Sequence, residues 1–320
     1  MTSPLLNPVM TLPEFAKGAD VPDMARPLIE MFAESSDIAR VCPFLGLSGF
    51  IYQGFRQAAL QTTMAFRAIN AASTSGAGVV TPFQESTFVI DHDIPVDRVL
   101  VDRGGDRRRA WEEKMAMARL GELWVNTFLK GDSTTTPTVF NGLQKRSSQY
   151  GRNIDNSNGQ AGGNPLSFTM LDWAIQNVKN PTHIIVPWAL KYRFIQAARN
   201  TSITGYVIHT SLDESGKAVM DYAGLPLLFG YEKDLHLPIL PFTEVATGGG
   251  AAQTSSMYVV AFGENDLVSI QNKPMEIRDF GLLEDGITYN THVSWDIGLV
   301  DNTNFCFTRL SGIVNAAFTV

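Results

Sequence analysis

Ile51-Tyr-Gln-Gly-Phe-Arg56, running on to Thr63-Met-Ala-Phe-Arg-Ala-Ile69, reads as the first leg of one very long β-hairpin. Phe83-Gln-Glu-Ser-Thr-Phe-Val-Ile90, continued by Pro95-Val-Asp-Arg-Val-Leu-Val-Asp102, reads as the second. Between them lies Asn70-Ala-Ala-Ser-Thr-Ser-Gly-Ala-Gly78, a tip of small residues with glycines available where the chain turns. About nineteen residues per leg, at about 3.3 Å each, span roughly 50–60 Å. A compact body of 320 residues has a radius of gyration of only about 20 Å. An arm of that reach cannot pack wholly on its own domain.

The arm carries Phe55, Leu60, Met64, Phe66, Ile69, Phe83, Phe88 and Ile90. A lone two-stranded ribbon is marginal in water, and an exposed apolar ribbon marks a protein–protein contact. The expectation is an arm lying across a neighbouring subunit. The competing reading is a shorter hairpin folded into a local sheet.

Outward from the arm, composition is ordinary: 44% hydrophobic, 18% charged, 27 glycines and 16 prolines, enough for a core and for two domains. A net charge of −7 argues against simple nucleic-acid gripping and against anionic membrane surfaces, though not against enclosing nucleic acid. The two cysteines, Cys42 and Cys306, stand in no metal or redox spacing, which suits a reduced compartment. Neither a signal peptide nor a membrane span is expected, and no internal repeat is visible.

Residues 1–24 are punctuated by proline and read as an extended N-terminal arm. Asp23 to Arg40 reads as partly helical, ending before Pro43. Asp106 to Lys130 is the strongest helix, with Trp111, Met115 and Ala118, then Met117, Leu120, Trp124 and Phe128 at helical spacing. Gly131 is its expected stop. After Pro165 helices alternate with strands. Helices are expected from Ser167 and from Pro187 to Arg199, with a buried strand at His183–Val186. Lys217 to Tyr231 reads as a ribbon turning at Gly224. Further strands are expected at Met257–Phe262, Val268–Ile270 and His292 to Leu310, with a flexible loop over residues 246–256.

Chemistry-bearing patterns are weak. Gly131-Asp-Ser133 ends a helix instead of joining strand to helix, so it is no nucleophile elbow. Asp91-His-Asp93 with Asp97 could attract a hard cation, but these residues sit where a strand ends, and no metal site is assigned. Gly248-Gly-Gly250 lacks the Lys-Ser/Thr of a phosphate loop. Nothing assembles nucleophile, base and orienter, so no catalytic residue, no cofactor and no enzymatic activity is expected. Arg103 and Arg107-Arg-Arg109 crowd a helix start, against the macrodipole, with Glu112 and Glu113 in partial compensation. Either these side chains meet a neighbouring subunit or they form a solvated face.

The order of parts resembles that of tailed-phage major capsid proteins of the Hong Kong 97 fold. The resemblance rests on Ala65-Phe-Arg-Ala-Ile-Asn70 with Gly78-Val-Val80, and on Val96-Asp-Arg-Val-Leu-Val-Asp102. It rests also on Leu129-Lys-Gly-Asp-Ser133 followed by Phe140-Asn-Gly-Leu143, on Trp295-Asp-Ile-Gly-Leu299, and on the strand Phe305–Ile313. It implies an α+β fold. An N-terminal arm (1–27) would lead into a peripheral domain built from 28–50, 93–165 and 276–302, with a spine helix over 106–130 and long β-strands. The extended hairpin loop would be 51–92. An α/β axial domain would comprise 166–275 and a closing strand over 303–320.

The implied function is a structural subunit that self-assembles into hexamers and pentamers of an icosahedral or prolate head around double-stranded DNA. Its place would be the virion capsid, assembled in the host cytoplasm. Portal, decoration and separate scaffolding proteins would be its partners, with no membrane. The expected intersubunit contacts are Phe55, Arg56, Met64, Phe66, Arg67, Phe88, Arg107, Arg108, Arg109, Glu112 and Glu113. Some members of the family cross-link their shells through a lysine of the extended loop. Residues 51–92 contain no lysine, so no such bond is expected. A nanocompartment shell enclosing cargo protein is the alternative, and an α/β enzyme using 165–275 a more distant one.

Overall fold

The computed structural model describes residues 10–12, 14, 32, 36–59, 63–200, 208–212, 218–229 and 238–319. Most of the expected N-terminal arm, and most of the helix expected from Asp23, lie outside them. Ser36 caps the helix Asp37–Val41, its Oγ accepting from the Ile38 amide at 3.2 Å.

The described residues form a mixed α+β fold with two main sheets. The six-stranded sheet is organised around the long strand Thr288–Asp301. Phe88–Asp97 pairs with it antiparallel from Phe88↔Ile297 to Asp97↔Thr288, and Glu276–Leu282 pairs along its other side. Leu267–Gln271 continues the sheet, followed by Pro43–Gly46 and Met10–Thr11. The eight-stranded sheet centres on Phe307–Thr319, Ser255–Val260 and His183–Val186; Ser255–Val260 is buried throughout and Phe307–Thr319 over its first half. A ribbon of Ala218–Tyr222 and Leu225–Phe229 extends it through a turn at Ala223 (φ 52°) and Gly224 (φ 79°), as expected.

The long helix runs from Asp106 to Lys130 as the periodicity predicts. It buries Met117, Trp124, Val125, Phe128 and Leu129 against Phe44, Trp295 and Ile297 of the first sheet. Trp124 stacks on Phe128 at 5.3 Å, and Phe32 meets Trp295 edge-on at 5.2 Å. Each such aromatic buries about 150–250 Å², which makes this seam a large apolar contribution to the fold. The second core lies between the other sheet and two helices, Phe168–Gln176 and Lys191–Arg199, around Phe168, Phe194, Met257 and Phe318.

Several expectations need correction. The paired part of the hairpin ends at Ala59 and Val79, and residues 63–78 form an irregular tip, so the ladder spans about 30 Å. Its second leg leaves the ribbon at Thr87 to join Thr288–Asp301, because Ile94 and Val96 bury there. Arg98–Gly104 is a helix, not a strand, capped by Asp97, whose Oδ1 accepts from the Val99 amide at 2.7 Å. Gly131 has φ −53°, so left-handed geometry is not its reason; a Cβ there would stand 2.3 Å from the Phe140 carbonyl oxygen. The region from His292 to Leu310 is two strands separated by residues 302–306. Within 246–256 Gly248 and Gly250 pass close to backbone, a Cβ lying 2.1 Å from the Gly159 carbonyl oxygen and 2.6 Å from the Gly162 nitrogen, whereas Gly249 is open, and the buried strand begins at Ser255.

Candidate assembly interface

The hairpin alternates. Pairing sets Tyr52 opposite Glu85, Gly54 opposite Phe83 and Arg56 opposite Thr81 on the face turned to the body. The other face carries Ile51, Gln53 and Phe55, with Phe55 74% exposed. Strand periodicity of two accounts for this division. Gly54 lets the Phe83 ring cross the ribbon, since a Cβ there would lie 2.6 Å from the ring. The Arg56 guanidinium then sits over that ring, 4.0 Å from its centroid.

Beneath the hairpin lies a charge cluster that the sequence reading did not single out. Asp301, at the end of the long strand, is fully buried, and three arginines converge on it. Arg56 donates through Nη2 to Asp301 Oδ1 at 2.6 Å and through Nε to the Asp301 carbonyl at 2.9 Å. Arg146 pairs with the same carboxylate, and Arg152 reaches Oδ2 at 3.1 Å. Arg146 also donates to both oxygens of Glu85, at 2.7 and 2.9 Å, and to the Leu299 carbonyl. Burial works against the Arg146 charge, but the carboxylates of Asp301 and Glu85 more than offset it, and its pKa is raised. One strand of the hairpin supplies Arg56 and the other Glu85, so the cluster fixes both legs to the body. A charged residue closing the apolar run Ile297-Gly-Leu-Val-Asp301 was the one signal of it in the sequence.

The start of the long helix is a second polar junction. Arg109 Nη2 lies 2.5 Å from Asp279 Oδ1 and 2.7 Å from Thr291 Oγ1, while its Nε meets Glu113 at 3.2 Å. The hydrogen bond to Asp279 raises the Arg109 pKa, and the same bond lowers that of Asp279. Arg108 pairs with Glu112 at 2.6 Å and lies over Trp111, 5.1 Å from its ring centroid. Arg107 is exposed.

The residues singled out as contacts therefore divide. Phe55, Met64, Phe66, Arg67 and Arg107 are exposed; Arg108, Glu112 and Phe88 are half-buried. Arg56 is 8% exposed and bound within its own chain. The Arg56 side chain reaches inward to Asp301 and adds little to the exposed surface of the hairpin. Arg109 and Glu113 are likewise committed to Asp279 and Thr291. Asp91 and Asp93 both face His292, at 3.0 and 2.8 Å. Among the described residues no group of three or more His, Cys, Asp or Glu side chains is placed to hold a metal, and no helix is long and apolar enough to cross a membrane.

No family model matches the chain, and no curated protein does. Solved structures do. The chain in the holo-SrpI encapsulin complex from Synechococcus elongatus aligns over 88% of this chain and 89% of its own, at 14% identity and a TM-score of 0.62. A chain of Microbacterium phage Oxtober96 aligns over 86% and 90%, at 8% identity and a TM-score of 0.60. The capsid of a native GTA particle aligns over 88% and 91%, at 9% identity and a TM-score of 0.55. The chain has the phage major capsid protein fold. The likeness covers 86–88% of this chain and is one of backbone path, at 8–14% identity.

Proposed function

We propose that the chain is the structural subunit of a closed shell, building hexamers and pentamers of a phage head around double-stranded DNA. One observation carries the reading: the hairpin presents Phe55, Met64, Phe66 and Ile69 to solvent, each at least 74% exposed. A surface of that kind is stable only when a partner covers it. A chain whose fold recurs in capsid structures finds that partner in its own copies.

On this reading residues 51–92 form the loop that overlaps a neighbour, with Phe55, Met64, Phe66 and Arg67 as its contacts. Arg107, Arg108 and Glu112 contribute at the helix start. The spine helix, with 28–50, 93–165 and 276–302, forms the peripheral domain, and 166–275 with 303–320 the axial one. The role is structural, not enzymatic, and its setting is the virion, with portal, scaffolding and decoration proteins as further partners.

The likeness to the encapsulin chain, at a TM-score of 0.62, favours a second reading, a nanocompartment enclosing cargo protein. The contents of purified particles separate the two. Nuclease-protected double-stranded DNA supports the phage head; protein cargo without DNA supports the nanocompartment. Material that forms no particle overturns both.

A further inference from the structure

A cavity of about 580 Å³ opens between the helix Phe168–Gln176, the strand Asn153–Asp155 and residues 302–306, which join the two long strands. Ligand pockets run from roughly 300 to 1,000 Å³. Its walls are pinned from several sides. The Asn302 amide donates to the Asp266 carbonyl at 2.8 Å, and Thr303 Oγ1 to Asp266 Oδ1 at 3.1 Å. The Lys179 amide donates to the Phe305 carbonyl at 2.9 Å, and Arg152 Nη2 to the Thr303 carbonyl at 3.2 Å. The cavity is therefore formed in advance, and a ligand entering it orders little.

Three exposed aromatic residues line it: Trp173 at 52%, Phe305 at 61% and Tyr150 at 36%. Three side-chain amides line it as well, each with hydrogen-bonding capacity to spare. Asn177 Nδ2 donates to the Trp173 carbonyl at 2.8 Å, which leaves Oδ1 as an acceptor. Asn304 Oδ1 accepts from Arg152 at 3.5 Å, which leaves Nδ2 as a donor. The exposed Asn153 side chain has no partner among the described residues and offers both. Charge is balanced. Arg152 is the one charged side chain in the lining, and Asp301 neutralises it at 3.1 Å. Beyond the lining stand Asp266, engaged with Thr303, and Lys179, exposed and without a carboxylate partner among the described residues.

We infer that this cavity binds a neutral oligosaccharide. The faces of aromatic rings are electron-rich and attract the polarised C–H groups on the apolar side of a sugar ring. Amides that both donate and accept match its hydroxyls. Two other occupants fit less well. A nucleic-acid strand brings a phosphate with every base and needs a basic groove beside its stacking platform, whereas Lys179 is the single uncommitted cation here. An apolar peptide side chain would cover the three amides and leave them without hydrogen bonds. The site lies apart from the hairpin and does not rest on the shell reading.

Isothermal titration calorimetry of the purified chain with maltotriose, cellotriose and triacetylchitotriose tests it. Saturable binding of at least one of them is expected, unchanged by added salt because no charge pair is made. Trp173→Ala is expected to abolish the binding, and Asn153→Ala to weaken it about tenfold through lost hydrogen bonds. Both side chains are exposed, so both variants should keep the thermal midpoint of the unmodified chain. No saturable heat from any of the three sugars, or undiminished binding by Trp173→Ala, overturns the inference. Tighter, salt-dependent binding of a single-stranded oligothymidylate would assign the cavity to nucleic acid and also overturn it. So would sugar binding by the dispersed chain that assembled particles lack, which would assign the cavity to a neighbouring copy.

Discussion

Arg56 and Asp301 stand 245 positions apart in the chain, yet their side chains meet at 2.6 Å inside the protein. That pair, with Arg146, Arg152 and Glu85, settles where the hairpin leaves the body. An exposed arm used for docking needs a fixed root, because a swinging arm loses orientational entropy on binding.

Removing the carboxylate tests the root. Asp301→Asn leaves three buried guanidinium groups with Glu85 as the remaining carboxylate of the cluster. A loss of about 3–5 kcal/mol in unfolding free energy is expected from denaturant melts. Arg152→Leu, at the cluster's edge, is expected to cost less. Equal, small losses for both would show that the cluster does not anchor the arm.

Acid should loosen the helix start. The Arg109 hydrogen bond holds the Asp279 carboxyl below its ordinary value. A depressed carboxylate contributes stability above its unfolded pKa, about 3.9, and loses it as pH falls through its lower folded value. Arg109, with its pKa raised, stays charged throughout that range. The thermal midpoint of Asp279→Asn should therefore lie below that of the unmodified chain at pH 5–8, by no more than about 1 kcal/mol of stability. The gap should close below about pH 3.9. A gap that widens on acidification contradicts the assignment.

Both thiols should be silent. Burial pushes the thiols of Cys42 and Cys306 up to about 12. The thiolate is the reactive form, so iodoacetamide at pH 8 is expected to label neither cysteine until denaturant is added. Rapid labelling of the folded chain would mean that the core between the long helix and the first sheet opens.

Shells should be held without covalent bonds between subunits. With no lysine in 51–92, boiled particles are expected to run as a single band near 35.1 kDa. A ladder resistant to reductant would contradict this.

The long helix and the buried strand His183–Val186 were legible because burial imposes periodicity on sequence. The root of the hairpin was not. Arg56, Glu85, Arg146, Arg152 and Asp301 are scattered over 246 positions, and nothing local shows that a charge will be buried against another far along the chain. The second leg reads as too long for a related reason: Phe88–Asp97 is strand-like either way, and only Thr288–Asp301 decides its partner. In the sequence Gly131 reads as a conformational stop, whereas the close passage of Phe140, a tertiary fact, is what demands it.

Negative-stain electron microscopy of the purified chain, paired with light scattering over a range of concentrations, decides whether it builds shells through its hairpin. Closed, uniform shells are expected, and they should be lost when Met64, Phe66 and Ile69 are replaced together by serine. A chain that stays monomeric at every concentration, or serine-substituted protein that still forms shells in full yield, would contradict the account.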